Sequence, residues 1–557
     1  MRIAQLLPLV SFLFFSSILA AQPSNIRITN GEADEVLKGS YSPLDYEATD
    51  VIDNLDKIVC ALVEETSADS LKALILKMQN FETRNTYADT VSQVRGIGAA
   101  RRWVYDRFKI LSTQREDRLI TSYLEFDMPA SAVCGPGNFR NIFCVLPGRD
   151  IDDPSAVLIE GHMDSRCEVL CDTNCYAPGA EDNASGTALV MELARVLSNY
   201  TFDHTLIFLV TIGEEQGLFG AEAFADYCLN EGIQLKAVQN NDVVGGVECG
   251  PSSSPPSCQG PGHIDSNTVR IFSSGVVNSP HKDYARFIKT IHKEKSSWIL
   301  PVFMSVKIMT PEDRSGRGGD HIPFRINGFR SVRFCAANEH GDANTSLSTY
   351  EGRQHTTRDV IGIDTTGDGT LDEYYVDFNY LKRNAIINAT SMSAAALGPD
   401  APSFTLVDDG TKVQINIADP LNLGRYRIGV REFAQDFNAL YEINDTTFFN
   451  VPDLEPSISY RVSVASVDDN GVMSLFAPEQ NFFSITNSTA LVFDTVSLGP
   501  LNCATVGINN PAQFIEEDGL SIIAIPNPFN SLLTIQISST RLESIGGILL
   551  MHDVVGR

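Results

Sequence analysis

The spacing of apolar residues changes along this chain. In the first two thirds, continuous apolar runs such as 206–212 alternate with segments in which apolar residues recur every three or four positions, as at Leu189, Leu193 and Leu197. Continuous runs predict strands buried on both faces, and the wider spacing predicts amphipathic helices. In the last third the spacing becomes two, for example over 413–417, which predicts short half-buried strands. The pattern therefore predicts an α/β domain followed by all-β modules.

Acids and histidines follow the apolar runs of the first part. The segments are 156–165 with His162 and Asp164, 177–197 with Asp182 in a turn before a helix, 205–217 with Glu214 and Glu215, 237–246 with Asp242, and 354–359 with His355. In open α/β sheets the carboxyl ends of the strands border the ligand crevice, so we expect these side chains to converge.

The converging residue types favour a metal site. Two histidines and three carboxylates (His162, Asp182, Glu215, Asp242 and His355) are too many for one tetrahedral zinc, but they suit two ions that share a carboxylate. Taken singly, each motif has a simpler interpretation: a polar loop, a solvated pair of glutamates or a helix cap. Their fixed order after apolar runs favours the catalytic interpretation.

The motifs GHMDS, APGAEDNASG, EEQG, NDVVG and the late His-Thr resemble the co-catalytic di-zinc aminopeptidase family over about 81–399. The resemblance implies a zinc-exopeptidase-like mixed sheet flanked by helices and two Zn²⁺ ions. By that scheme His162 and Asp242 hold one zinc, Glu215 and His355 hold the other, and Asp182 bridges. Glu214 is then the general base, and Asp164 orients the ring of His162.

One position departs from the family pattern. Several members carry a tyrosine before the last histidine, where its hydroxyl helps the oxyanion, and here that position is Gln354, whose amide could do similar work. The expected function is removal of N-terminal residues from peptides. Three alternatives stay open: a single-zinc glutaminyl cyclase, a carboxypeptidase of the same fold, and an inactive surface-binding protein.

Charge and the first residues of the chain indicate an exported protein. The 557 residues carry a formal charge of −28, which disfavours nucleic acid and anionic membranes as partners. Residues 1–21 resemble a secretory signal peptide, and no later segment is apolar enough to cross a membrane.

Eleven cysteines then become candidates for disulfides. Cys134 with Cys144, and Cys249 with Cys258, are close enough in sequence to close small loops. Cys167, Cys171 and Cys175 predict one disulfide with an outside partner, with a zinc-thiolate site as the alternative. The odd total leaves at least one thiol unpaired or bonded between chains.

The remaining candidates lie around the predicted site. Residues 22–79 are a propeptide or a cover segment, and 80–398 form the peptidase domain. Asp320 and His321 are candidates for lining the crevice. Arg314 and Arg317 are expected in a solvated loop, with contact to a substrate carboxylate as the alternative.

An acidic segment after His355 offers a second metal hypothesis. Its alternating oxygen-bearing residues are Asp364, Thr366, Asp368, Thr370 and Asp372. This spacing is typical of a Ca²⁺ loop, but position 375 is Tyr where the full loop ends in Glu. A simple acidic turn is the alternative.

The C-terminal modules complete the expected architecture. Residues 399–486 resemble a fibronectin type III domain, with Tyr460 as its tyrosine corner and a spacer as its simplest role. After a linker, 487–520, residues 521–557 resemble the sorting domain of the type IX secretion system of Gram-negative bacteria, ending earlier than such domains usually do. The resemblance implies secretion machinery as a partner and a secreted or surface-attached protein.

Overall fold

The computed structural model describes most of the chain in discrete ranges. They are 21–250, 259–314, 317–339, 352–408, 412–433, 436–437, 439–452, 454–484, 501, 503, 520–525 and 534–539. The predicted signal peptide and the Pro-Asn-Pro-Phe-Asn core of the predicted sorting domain lie outside these ranges, so both stay predictions. In the described part, none of the helices is long and apolar enough to span a membrane.

Nine strands form one mixed sheet. They are β1 (Ser24–Ile28), β2 (Ile120–Met128), β3 (Gly137–Leu146), β4 (Ala156–His162), β5 (Thr205–Thr211), β6 (Leu235–Asn241), β7 (Thr268–Phe272), β8 (Ser305–Ile308) and β9 (Ser331–Ala336). Their order is β1-β2-β3-β5-β4-β6-β9-β7-β8. Strands β5, β4, β6 and β9 run parallel, which brings their carboxyl ends to one edge.

Helices cover the sheet. They are α1 (Gly31–Leu37), α2 (Leu55–Glu65), α3 (Ala68–Gln79), α4 (Gly96–Gln114), α5 (Ala184–Leu197), α6 (Phe219–Glu231), α7 (Pro280–Glu294), α8 (His321–Ile326) and α9 (Phe378–Leu397). Every residue of β4 and β5 is buried, as the continuous apolar runs predicted for strands covered on both faces. The predicted α/β class, with a mixed sheet flanked by helices, is confirmed.

The N-terminal segment 22–79 is part of this domain. β1 pairs antiparallel with β2 at the edge of the sheet, α2 packs against α9, and α3 packs against α5 and α9. Ile58 and Leu71 are fully buried in the main core. The segment therefore contributes core surface instead of lying as a separate cover, while its removal as a propeptide stays an untested prediction.

Two small antiparallel sheets follow the α/β domain. Strands β10 (Gly362–Ile363) and β11 (Glu373–Tyr374) still belong to the first part. The later strands are β12 (Ser403–Asp408), β13 (Val413–Ala418), β14 (Arg425–Glu432), β15 (Ala439–Asn444), β16 (Phe448–Asn450), β17 (Ser459–Ser466), β18 (Gln480–Phe483), β19 (Leu520–Ile525) and β20 (Thr534–Ser539). β12, β13 and β16 form one sheet, β15, β14, β17 and β18 form another, and β19 pairs with β20. The hydroxyl of Tyr460 accepts a hydrogen bond from the backbone N–H of Glu455 at 3.1 Å, the type of bond expected of a tyrosine corner.

The β-rich part is docked on the α/β domain. Val467, Met473 and Phe476 belong to the same apolar core as the large sheet. Glu479 bonds Arg286 of α7 at 3.1 Å and Arg431 of β14 at 2.7 Å, and these side chains are almost fully buried. This part is therefore held against α7 by a continuous interface, which a loose spacer would lack.

The disulfides correct the sequence prediction. Cys134 pairs with Cys171, Cys167 with Cys175, and Cys60 with Cys503. Cys144 is a free thiol, so the predicted Cys134–Cys144 pair is wrong. Cys144 lies within β3, where pairing with β2 and β5 buries it completely.

The other cysteine predictions have mixed outcomes. The cluster of three does bond to an outside cysteine, through Cys171, but its other two members also pair with each other. Cys249 is disulfide-bonded, and its predicted partner Cys258 lies outside the described residues. In the described part Cys144, Cys228 and Cys335 are free and buried.

Candidate metal centre

The strand ends carry the predicted side chains to one place. His162 is the last residue of β4, Glu214 and Glu215 follow β5, and Asp242 follows β6. Asp182 precedes α5, where Asn183 caps the helix by accepting the backbone N–H of Gly186 at 2.9 Å. A helix cap was the alternative to a catalytic role for this motif. The cap is present, but Asn183 forms it and Asp182 does not.

Asp182 lies between two groups of side chains. Its Oδ1 is 3.3 Å from Nε2 of His162, and its Oδ2 is 3.1 Å from Nε2 of His355. On the His162 side, Nε2 is 3.6 Å from Asp242 and 3.9 Å from Glu214. On the other side, Nε2 of His355 is 3.2 Å from Glu215.

These separations fit two zinc ions. Ligand atoms about 2.0–2.1 Å from one tetrahedral ion lie roughly 3.3 Å from each other, which matches the contacts made by Asp182. Nε2 of His162 is buried and has no hydrogen-bond partner, as expected of a nitrogen reserved for a metal. The donor atoms form two clusters, one of His162, Glu214 and Asp242 and one of Asp182, Glu215 and His355.

The buried ionisable side chains of the site shift each other's pKa values. Burial alone raises the pKa of Asp182, but the flanking rings of His162 and His355 outweigh it and hold that pKa well below the usual range. Burial raises the pKa of Glu214 well above its ordinary value, and Asp242 adds to the rise while His162 opposes it. Several carboxylates packed this closely need cations among them, which supports a metal centre.

Asp164 does more than its predicted role. Its Oδ1 is 3.4 Å from Nδ1 of His162, and its backbone carbonyl is 3.2 Å from the same nitrogen. These acceptors favour a proton on Nδ1, which leaves Nε2 free for a metal. Its carboxylate also accepts the backbone N–H groups of Glu214 and Glu215 at 3.3 and 3.2 Å. One side chain therefore fixes two of the strand-end loops.

Asp359 and Arg84 are positioning residues that sequence reasoning missed. The carboxylate of Asp359 accepts the backbone N–H groups of Glu181 and Asp182 at 3.0 and 2.9 Å. The guanidinium of Arg84 donates to the backbone carbonyls of Met163 at 2.7 Å and Gly179 at 2.8 Å. Both tie the loop of Asp182 to its surroundings through backbone groups. The one sequence signal for Asp359 is that it closes the segment 354–359, which also contains His355.

Arg333 of β9 supports Asp242. Its Nη2 lies 2.7 Å from Oδ2 of Asp242, and its Nε donates to the backbone carbonyl of the same residue at 2.6 Å. Burial opposes ionisation of Asp242, but Arg333 and then His162 outweigh it and lower its pKa. The arrangement leaves Oδ1 of Asp242 facing His162.

The predicted crevice residues have different surroundings. Asp320 is fully buried beside the site and accepts the hydroxyl of Thr211 at 2.5 Å, and burial raises its pKa to about 7. His321, the first residue of α8, is also fully buried, with Nε2 3.2 Å from the carbonyl of Glu312. The place of both side chains at the crevice wall stays a prediction.

The arginine loop is also buried. Gln354 accepts from Arg317 at 2.5 Å, which places the Gln354 amide next to His355 but inside a polar network. Arg317 and Arg314 contact Glu339, and Arg314 also contacts Asp313. The prediction of a solvated loop for these two arginines is wrong, because they neutralise buried carboxylates.

The candidate calcium loop forms an acidic turn. Asp364 accepts backbone N–H groups of Thr366, Gly367 and Gly369, and Asp372 accepts those of Thr365 and Thr366. Asp368 accepts from Thr370. The carboxylates are thus occupied by the turn itself, and the metal-capable clusters of the described residues lie elsewhere. The structure favours the simple turn, and nothing in it supports calcium.

The strand ends of this mixed sheet bring together two clusters of histidine and carboxylate side chains, and Asp182 lies between the clusters. This arrangement defines the class of protein: metal-dependent hydrolases of the zinc peptidase type. Comparison with known proteins narrows this class. The model of Peptidase family M28 matches residues 141–375. A probable zinc metalloprotease of Leptosphaeria maculans is 31% identical over 383 residues, which cover 66% of this chain and 84% of that protein.

Two further proteins match this chain. A probable zinc metalloprotease of Pyrenophora tritici-repentis is 29% identical over 408 residues, covering 70% of this chain and 89% of that protein. The structure of the LapA aminopeptidase of Legionella pneumophila has a TM-score of 0.42 and 18% identity, covering 61% of this chain and 73% of that one. The chain belongs to peptidase family M28, a family of zinc metallopeptidases.

Proposed function

We propose that the protein is a secreted zinc aminopeptidase that removes N-terminal residues from peptides with two metal ions. The observation that carries the proposal is Asp182, whose two carboxylate oxygens face His162 and His355 at 3.3 and 3.1 Å. A carboxylate placed in this way can be shared by two ions. His162 and Asp242 would hold one ion, and Glu215 and His355 the other.

The ions, when bound, would acidify a water and polarise the scissile carbonyl. Glu214 lies beside this place, with a carboxylate oxygen 3.9 Å from Nε2 of His162, the longest of the contacts to that nitrogen. That position suits a base better than a ligand. Glu214 would take the proton from the attacking water and pass it to the leaving amine. Asp164 would keep the base in place through the backbone bonds described above.

The number of metal ions and the substrate terminus that is recognised distinguish the proposed aminopeptidase from a glutaminyl cyclase and a carboxypeptidase. Two clusters of donor atoms support two ions, whereas the rival glutaminyl cyclase needs one. An aminopeptidase requires a free N-terminus, and a carboxypeptidase requires a free C-terminus. The motif resemblance supports the aminopeptidase type.

A panel of aminoacyl-anilides, assayed with and without chelator, tests the proposal. We expect hydrolysis that chelation abolishes and zinc restores, together with loss of hydrolysis when the substrate amine is acetylated. Hydrolysis of amine-blocked peptides from the C-terminus would contradict the aminopeptidase type. Cyclisation of N-terminal glutamine with one zinc per chain would favour the cyclase.

We also propose export, by the type IX route, for the whole chain. Three disulfides in the described part support an oxidising compartment. The two antiparallel sheets of 403–483 and the Tyr460 bond support a fibronectin type III module. Fractionation of the native host, with and without residues 521–557, tests the route: loss of the protein from the outer surface is expected on truncation.

A further inference from the structure

A cleft lies where strands β7 and β8 meet helix α7 and strand β14. Its volume is about 470 Å³, and its described lining comes from β7, β8, the start of α7 and β14. None of the candidate metal ligands lines it. Ligand sites often occur where two domains meet, and this cleft lies where the α/β domain meets the docked β-rich part.

The cleft is rich in positive charge within a chain whose net charge is −28. Its charged lining residues are Arg270, Lys282, Arg286, Lys289, Lys307 and Arg431, with the acids Asp265 and Asp436. Some of these cations are committed to the domain interface, because Arg286 and Arg431 share Glu479 and Lys289 pairs with Asp436. The remaining cations are Arg270, Lys282 and Lys307.

Two of the remaining cations are direct neighbours in the sheet. Arg270 of β7 and Lys307 of β8 occupy paired positions in the parallel register, and both face the cleft. Like charges at paired positions of neighbouring strands repel each other. Arg270 already has partners in the fold, because its Nε donates to the carbonyl of Ala336 at 2.8 Å and its Nη2 lies 3.4 Å from Glu339. Lys307 forms no ion pair among the described residues, so its charge faces the cleft beside that of Arg270.

The third cation is buried at the wall of the cleft. Lys282 is only 5% exposed, and its ammonium donates to the backbone carbonyl of Met309. An ammonium has three N–H donors, so two of them have no acceptor among the described residues. Burial, with help from Arg286, lowers the pKa of Lys282 to about 8. A buried charge of this kind is costly unless an anion accompanies it.

We propose that this cleft binds a small organic anion through Lys282 and Lys307, with Arg270 adding positive charge beside them. The hydroxyls of Thr268 and Ser305, which also line the cleft, add donors for the oxygen atoms of a phosphate or a carboxylate. The volume falls within the range of small-molecule sites, roughly 300–1,000 Å³, and it exceeds the needs of a bare inorganic ion. The ligand class is therefore a compact metabolite that carries one or two anionic groups.

Calorimetric titration of the zinc-loaded full chain tests the proposal. The probes are glucose 6-phosphate, glucuronate and glucose, which share a sugar ring and differ in charge. We expect saturable binding of one or both anions that weakens with added salt, and no binding of glucose. A preference between the two anions identifies phosphate or carboxylate as the recognised group. Equal binding of glucose, or no binding of either anion, would overturn the proposal.

Two variants and a control locate the binding. Lys307→Gln changes a surface side chain and is expected to fold, and Lys282→Met removes the buried charge. Each should weaken binding of the anion by about tenfold, as the loss of a charge-assisted hydrogen bond predicts. Lys109→Gln removes an exposed lysine of α4 and should leave binding unchanged. Unchanged binding in Lys307→Gln and in a folded Lys282→Met protein would place the anion elsewhere and refute the assignment.

Discussion

At the scale of single residues, variants of Asp182 and Glu214 should lose activity for different reasons. Glu214→Gln removes the proposed base but no bridging ligand, so kcat should fall by at least about 10²-fold while zinc content is kept. Asp182→Ala removes the carboxylate that faces both histidines, so zinc should be lost together with activity. Activity assays paired with elemental analysis separate the two variants. Near-normal turnover by Glu214→Gln would refute its role as the base.

Asp359 should control metal affinity without touching the metal. Asp359→Ala removes the acceptor for the backbone N–H groups of Glu181 and Asp182, so the bridging carboxylate loses its support. Loss of such a supporting bond typically costs about 10–100-fold in metal affinity. Competition with a chelator of known affinity measures the change. Asp372→Ala, in the exposed acidic turn, is the matched control and should leave zinc affinity unchanged.

The residue scale also shows what the sequence could predict. His162, Asp182, Glu215, Asp242 and His355 were found because they follow apolar runs in a family-like order, and the structure brings all of them together. Asp359 and Arg84 escaped because their partners are backbone groups, which carry no side-chain signature.

At the scale of elements, the contact between α7 and the β-rich part should be essential for stability. Glu479→Gln leaves Arg286 and Arg431 buried without their shared carboxylate. Breaking a buried ion pair in this way typically costs about 3–5 kcal/mol of unfolding free energy. Chemical denaturation at neutral pH should show this loss. Glu455→Gln changes an exposed glutamate of the same part and should have little effect.

The same carboxylate gives the interface a pH dependence. Burial opposes ionisation of Glu479, but Arg431 and Arg286 outweigh it and lower its pKa. An acid with a lowered pKa stabilises the fold above the ordinary value of about 4.3, and this stabilisation is lost as the pH falls through the lowered pKa. The stability gap between the wild-type protein and Glu479→Gln should therefore narrow in acid. A gap that widens in acid would contradict the assignment.

The positions of the helices and strands were predicted more reliably than the contacts between them. Helix α5 and strands β4, β5 and β13 lie where the apolar spacing placed them, within a few residues. The spacing gave no information on which elements meet, so the docking of the β-rich part on α7 was not predicted. The pairing of Cys134 failed for the same reason, since Cys171 lies 37 residues away in sequence and is adjacent only in the fold.

At the scale of the whole molecule, the chain forms one metallopeptidase domain with a β-rich part docked on it through the interface at Glu479. The disulfide between Cys60 of α2 and Cys503 ties a later residue to the same domain, across a sequence separation of 443. The metallopeptidase class could be predicted because it depends on a few ordered motifs. The arrangement of the parts could not, because it depends on contacts between distant residues.

The central claim is that two zinc ions share Asp182. Anomalous diffraction at the zinc edge, from crystals of the zinc-loaded full chain, tests it most directly. We predict two peaks, one beside His162 and Asp242 and one beside Glu215 and His355, each in contact with a different oxygen of Asp182. A single peak, or two peaks that do not both contact Asp182, would contradict the account.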